Sequence, residues 1–258
     1  MISIPEPTGA EDNELDLALA AELQAGMLAS RSCAMLRNHT AAVQHRMCGS
    51  IGGDFCDVIR INDDQAAVVI GDVMGHGVRA CLLMARLLWF LRSDPATCSR
   101  PGQAVETLNH MLLDLGDRVG APLPVTLFLA TLDEPSGVSF FVNAGQPMPV
   151  IHRKNGVCPV CLCAQGVPLG LGDYRPREGC HSLEPGERMI LFTDGILDAA
   201  NPHGQRFGDR RLAAAIARHA DDEADPCARG IMQAVEDFRH GARQSDDETL
   251  IVIDRAIG

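Results

Sequence analysis

Apolar and polar positions along the chain switch between two periods, and the switch points predict its elements. From Glu11 to about Ser30, Leu15, Leu19, Leu23 and Met27 recur every four residues, which predicts a helix with one apolar stripe; Asp12, Asp16 and Glu22 fall elsewhere on its wheel. Its first turns are acidic, which suits the positive end of a helix dipole. The stripe suits packing on the helix's own domain, and equally pairing with a partner or a second copy. Residues 1–10, rich in Pro and Gly, predict a loose terminus.

Beyond Cys48 strand-like runs dominate. Gln65 to Ile70 predicts a short strand ending at Gly71, and His76 to Arg92 a mostly buried helix whose only polar stripe is Arg79 and Arg86. Pro101 opens a second helix through Leu115. Val125–Leu132 and Val138–Val142 predict a hairpin, and Val150–His152 with Val160–Leu162 another, turning at Lys154-Asn155-Gly156. Met189–Phe192 and Thr249–Ile253 predict strands, and Arg211–His219 and Pro226–His240 helices. Hairpins in series, with helices between the groups, give an α+β class with largely antiparallel sheets.

Composition narrows the function. The chain has 258 residues, 46% of them hydrophobic, enough for a large core. A net charge of −12 excludes non-specific binding to nucleic acid or to an anionic membrane surface. Ten irregularly spaced cysteines, with no secretory signal before them, predict a cytoplasmic protein with reduced thiols. The longest apolar stretch, Cys81 to Leu91, contains Arg86 and is too short to span a bilayer.

Four acidic islands carry the candidate chemistry: Gly52-Gly53-Asp54-Phe55-Cys56-Asp57, Gly71-Asp72-Val73-Met74-Gly75-His76-Gly77, Thr193-Asp194-Gly195 and Ser245-Asp246-Asp247-Glu248-Thr249. The last three adjoin strand-like runs. A carboxylate at the end of a buried strand is hard to desolvate unless something positive meets it. Asp54, Asp72, Asp194 and Asp246 or Asp247 supply about four negative charges, enough to balance two hard divalent cations such as Mg2+ or Mn2+. Two such ions can deprotonate a bridging water and orient an oxyanion, which suits phosphoester hydrolysis by in-line attack. The Val73 carbonyl could add an oxygen ligand.

In order and wording these islands resemble those of the bacterial SpoIIE/RsbU-type serine phosphatases, a branch of the PPM (protein phosphatase 2C) superfamily. The likeness runs from Leu23 to Asp254, through Leu23-Gln24-Ala25-Gly26-Met27-Leu28, the islands themselves, Asn143-Ala144-Gly145, Pro168-Leu169-Gly170-Leu171, Leu183-Glu184-Pro185-Gly186 and Phe207-Gly208. It implies a four-layer α-β-β-α sandwich of two antiparallel sheets flanked by helices, over residues 31–258, preceded by an N-terminal extension and regulatory or dimerisation helix over 1–30. It implies that Asp72 bridges two Mn2+ or Mg2+ ions, that the Val73 carbonyl completes one sphere, that Asp54 binds one ion and that Asp194 and Asp246 bind the other. Asp247 reads as a turn cap or a solvent-facing residue. His76 has two readings: a proton donor to the leaving alkoxide beside Asp72, or a cap of the helix beginning there. The implied substrate is a phosphorylated regulatory protein of the anti-sigma-factor antagonist type, and the implied control is an activator protein or a homodimer formed through the N-terminal helix. The alternative is a docking module that keeps the fold with little or no turnover.

The chain departs from the family pattern at Gln146, where a histidine is common, and at Cys56, where an aromatic is usual. No basic residue adjoins the islands, which leaves phosphate recognition to metals and backbone. Two rival readings explain less. Gly-Gly-Asp-Phe is similar to the diguanylate cyclase signature but lacks its second acid. Cys158, Cys161 and Cys163 with Cys180-His181 lack regular zinc spacing and read as small strand residues.

Overall fold

Period-2 alternation along the strands sorts the hydrophobic side chains into separate layers. The computed structural model describes residues 11–28, 36–153, 160–162, 166–173 and 175–257. One sheet has the order β1 (His39–Arg46), β10 (Glu248–Arg255), β9 (Glu187–Phe192), β6 (Val150–Arg153), β7 (Val160–Cys161). The other has the order β2 (Phe55–Arg60), β3 (Gln65–Val73), β4 (Val125–Asp133), β5 (Val138–Ala144), β8 (Gly179–Ser182). Every pairing within the two sheets is antiparallel.

On β10, Ile251 and Ile253 point between the sheets, where they join Ala41, Val58, Val68, Ile70 and Phe128. Leu250 and Val252 point outward onto α5 (Gly208–Arg218) and α6 (Ala224–Arg239) through Leu212, Ile216, Ile231 and Val235. On β3 and β4, Val69, Leu127 and Leu129 point the other way, onto α2 (Val78–Ser93) and α3 (Pro101–Val119) through Met84, Leu87, Leu108 and Leu112. Two sheets face to face with helices on both outer faces form the expected α-β-β-α sandwich.

The helix α1 (Glu11–Leu28) packs beside α2, but not through the stripe of Leu15, Leu19 and Leu23. Leu15, Leu19 and Leu23 are 70%, 54% and 62% exposed, while Leu17, Ala20, Ala21 and Leu28 meet the core and Gln24 is buried. The small Ala20 and Ala21 let the helix approach closely, so the buried face is the one with smaller side chains. Arg92 holds the end of α1, donating to the Met27 carbonyl at 2.9 Å while pairing with Asp57 at 2.5 Å.

Other boundaries shift for local reasons. The strand β3 does not stop at Gly71: it runs through Asp72 and Val73, which pair with Thr126 and Val125 of β4. The helix α2 starts at Val78, not His76, because Gly75 and Gly77 take φ of 100° and 80°. Its N-cap is Gly77, with no side-chain cap, so His76 does not cap it. The β6–β7 pair forms as expected, whereas its turn at Lys154-Asn155-Gly156 lies outside the described residues, as do Cys158 and Cys163. Cys180 is exposed.

A buried ionic network ties α6 to β10. Arg239 and Glu248, both buried, form an ion pair, and Arg46 bridges Glu236 at 2.5 Å and Glu248 at 3.6 Å. Burial raises the Glu248 carboxyl against the pull of both arginines. Arg239→Ala leaves that carboxylate nearly unpaired, and urea denaturation is expected to show a loss of about 3–5 kcal/mol.

Candidate active site

The four islands meet because antiparallel pairing brings their strand ends to one end of the sandwich. Asp54 precedes β2, Asp72 lies in the last turn of β3's course, Asp194 opens α4 (Asp194–Asp198) after β9, and Asp246 precedes β10. Asp72, His76, Asp194, Arg243, Asp246 and Asp247 line one cleft of about 850 Å³. Asp54 does not line it: 1% exposed, it is buried beside Asp72, behind Gly53.

The aspartates show the electrostatic cost of this gathering. Burial, and then the charges of Asp194, Asp246 and Asp247, push Asp72 up to about 7. Asp54 is raised well above the usual carboxylate range by burial and then by Asp72, although the Thr249 and Thr193 hydroxyls oppose the shift. Burial and then Asp198 raise Asp194; burial raises Asp246, with Asp194 and Asp247 adding to it against the backbone N–H of Asp247. Among the described residues none of Asp54, Asp72, Asp194, Asp246 and Asp247 forms an ion pair. Nor are any three His, Cys, Asp or Glu side chains drawn into a finished metal cage there, which accords with the mutual repulsion of like charges.

Backbone contacts position the carboxylates. A Cβ on Gly53 would lie 2.6 Å from the Val73 carbonyl oxygen and 3.2 Å from Asp72 Oδ1, so only glycine lets the Asp54 loop lie this close to Asp72. A Cβ on Gly195 would meet the Asp247 carbonyl at 1.8 Å. Asp247 is buried and faces protein: it accepts from the Cys48 N–H at 2.8 Å and the Gly53 N–H at 2.9 Å, which caps the loop before Asp54. Gln24 clasps the same loop, donating to the Gly52 carbonyl at 2.8 Å and accepting from its N–H at 3.1 Å. Gln146 is buried behind the site and donates to Thr126 Oγ1 at 2.9 Å, opposite Asp72 in the β3–β4 register.

Sequence reasoning missed four contributors. Arg243 lines the cleft, a basic residue that the sequence did not place beside the islands. Thr193 and Thr249 both donate to Asp54 Oδ2, at 2.8 and 2.6 Å. Gln24 reaches the site from α1. Each acts across a long sequence separation, and only the Thr-Asp-Gly and Asp-Asp-Glu-Thr wording hinted at the threonines.

The two-sheet sandwich is shared with a PP2C phosphatase domain: the SiaA-PP2C domain of Pseudomonas aeruginosa superposes with a TM-score of 0.80, at 21% identity, over 96% of this chain and 98% of that one. The sequence signature of the family described as Stage II sporulation protein E (SpoIIE) matches residues 62–256, and the chain belongs to that family. Phosphoserine phosphatase RsbU of Bacillus subtilis (strain 168) is 26% identical over 212 residues, which are 80% of this chain and 60% of RsbU. The structure of RsbX in complex with magnesium has the same fold, with a TM-score of 0.61 at 16% identity over 83% of this chain and 94% of that one. Among the described residues no helix is long and apolar enough to cross a membrane.

Proposed function

We propose that this chain is a metal-dependent protein phosphatase that removes phosphate from phosphoserine or phosphothreonine on a small regulatory protein of the anti-sigma-factor antagonist type. The observation that carries the reading is Asp72: half-buried, raised to about 7 by burial and then by its acidic neighbours, and without an ion pair among the described residues. Family membership and the likeness to RsbU, itself named a phosphoserine phosphatase, support the same chemistry. The donor set is all oxygen, which fits Mg2+ or Mn2+ over softer ions.

In this reading Asp72, Asp54, Asp194, Asp246 and the Val73 carbonyl would hold two cations, with Asp72 shared between them. When bound, the cations supply an acidified water and neutralise the charge on the phosphoryl oxygens. The Arg243 guanidinium meets phosphate at the mouth of the cleft. His76, exposed on the same cleft, gives a proton to the departing alkoxide, a task for which imidazole is well suited. Asp247 and Gln24 keep the Asp54 loop in place. The test is hydrolysis of an aryl phosphate with manganese, magnesium or chelator; turnover that survives chelation would refute the reading. Arg243→Ala is expected to raise KM for a phosphopeptide by about tenfold, the cost of one charge-assisted hydrogen bond, with kcat changed far less.

The exposed leucine stripe of α1 supports control by an activator or a second copy. Leu19→Glu with Leu23→Glu is expected to change the oligomeric state or activation by a partner, read by sedimentation and activity. Unchanged values in both would remove that role.

A further inference from the structure

We propose that His45 is a positioning residue that orients the Asp54 carboxylate through the Thr249 hydroxyl, and so fixes which oxygen of Asp54 is presented to a cation; the inference rests on the metal reading above. His45 and Thr249 are direct partners across the β1–β10 ladder. They continue the inward-facing rows of Ala41 and Val43 on one strand and Ile251 and Ile253 on the other, and so end the inter-sheet core at the floor of the acidic cleft.

Proton accounting sets the direction of the chain of bonds. Thr249 Oγ1 donates to Asp54 Oδ2 at 2.6 Å, and a hydroxyl has one proton to give. With Asp54 ionised, as a bound cation requires, the 2.6 Å contact between His45 Nδ1 and Thr249 Oγ1 must therefore be donated by the imidazole, which makes His45 an Nδ1–H donor. Thr193 is arranged in the same way: its hydroxyl accepts from the Thr249 N–H at 3.0 Å and donates to Asp54 Oδ2 at 2.8 Å. Each threonine hydroxyl thus has its acceptor side occupied and its proton aimed at one oxygen of Asp54. That leaves Asp54 Oδ1, among the described residues, without a hydrogen bond. A threonine hydroxyl with no donor against it rotates, so His45 is what holds the Thr249 proton on target.

Among the described residues the His45 ring makes no other hydrogen bond. Its Nε2 is sealed from solvent without a hydrogen-bond partner among the described residues, and burial lowers its pKa against the opposing charge of Asp247. A ring retained for packing alone would be replaced by an apolar one at no polar cost, since a buried acceptor left unpaired destabilises.

The test is manganese binding by calorimetry on the full chain, with unfolding of the chelated protein as control. His45→Phe and Thr249→Val are each expected to weaken manganese binding about 10–100-fold. The double variant should bind no more weakly than the worse single one, and His45→Asn, whose amide N–H can replace Nδ1–H, should restore binding to within about threefold. Imidazole 15N shifts of the magnesium-loaded protein, in which Asp54 is ionised, should report the Nδ1–H tautomer. Wild-type binding by His45→Phe, additive losses, no rescue by Asn, or an Nε2–H tautomer would each overturn the relay alone. Wild-type protein that binds no manganese would overturn the metal reading itself, and the relay with it.

Discussion

Asp72→Asn is expected to lower manganese-dependent phosphate hydrolysis by at least about 10²–10³-fold while leaving the fold intact. The size of the loss follows from position: second-layer partners of metal ligands already cost about 10–100-fold, and Asp72 is proposed to touch both ions. The intact fold follows from the electrostatics. Asp72 is raised by burial and by Asp194, Asp246 and Asp247, so a neutral amide of the same shape removes repulsion. Chelated Asp72→Asn should therefore unfold at the same temperature as chelated wild type, or higher. Calorimetry and a steady-state assay read the two halves of this outcome separately. A variant that hydrolyses at the wild-type rate would move the chemistry away from this cleft. Wild-type protein that binds its phosphoprotein in manganese without turnover would favour the docking module.

The sequence revealed the carboxylates of this site more readily than what supports them. Asp54, Asp72, Asp194 and Asp246 each stand beside glycine or a strand end, a local signature, and the antiparallel topology then brings them to one cleft. His45, Gln24 and Arg243 have no such signature, because their partners lie 204, 28 and, for Arg243, several loops away in the chain. The strand β1, His-Thr-Ala-Ala-Val-Gln-His-Arg, was equally hard to see: His39 and His45 occupy core-side positions, and its only large hydrophobe is Val43. The helix α1 misled in a different way. Leucines mark its apolar stripe, yet its buried face is built on Ala20, Ala21 and Gln24, since contact with α2 and the Gly52 loop needs small groups and one amide. Gly-Asp at 71–72 reads locally as a turn, but cross-strand bonds to β4 extend β3 through it.

The metal-free protein is expected to lose stability as pH rises from about 4 to 7, and manganese should reverse the trend. Asp72 has an ordinary carboxyl value of 3.8 and about 7 in the fold, so between these limits the folded state holds the extra proton. Stability falls with pH wherever the folded state binds more protons, and this contribution levels off above about 7. Asp54, Asp194 and Asp246 are raised as well and act with the same sign. A divalent ion competes with those protons, so its affinity should climb through the same window and flatten above it. At 100 times Kd, bound metal adds about 2.7 kcal/mol, or roughly 5–10 °C in Tm for a chain of this size. Thermal unfolding at pH 5.5 and 8, with chelator and with manganese, checks all three statements. The largest manganese shift belongs at pH 8, where the crowded carboxylates are ionised and repel. An equal shift at both pH values would mean that the ion binds away from Asp72, and a chelated protein that gains stability toward pH 8 would mean that its acidic cleft is not what limits the fold.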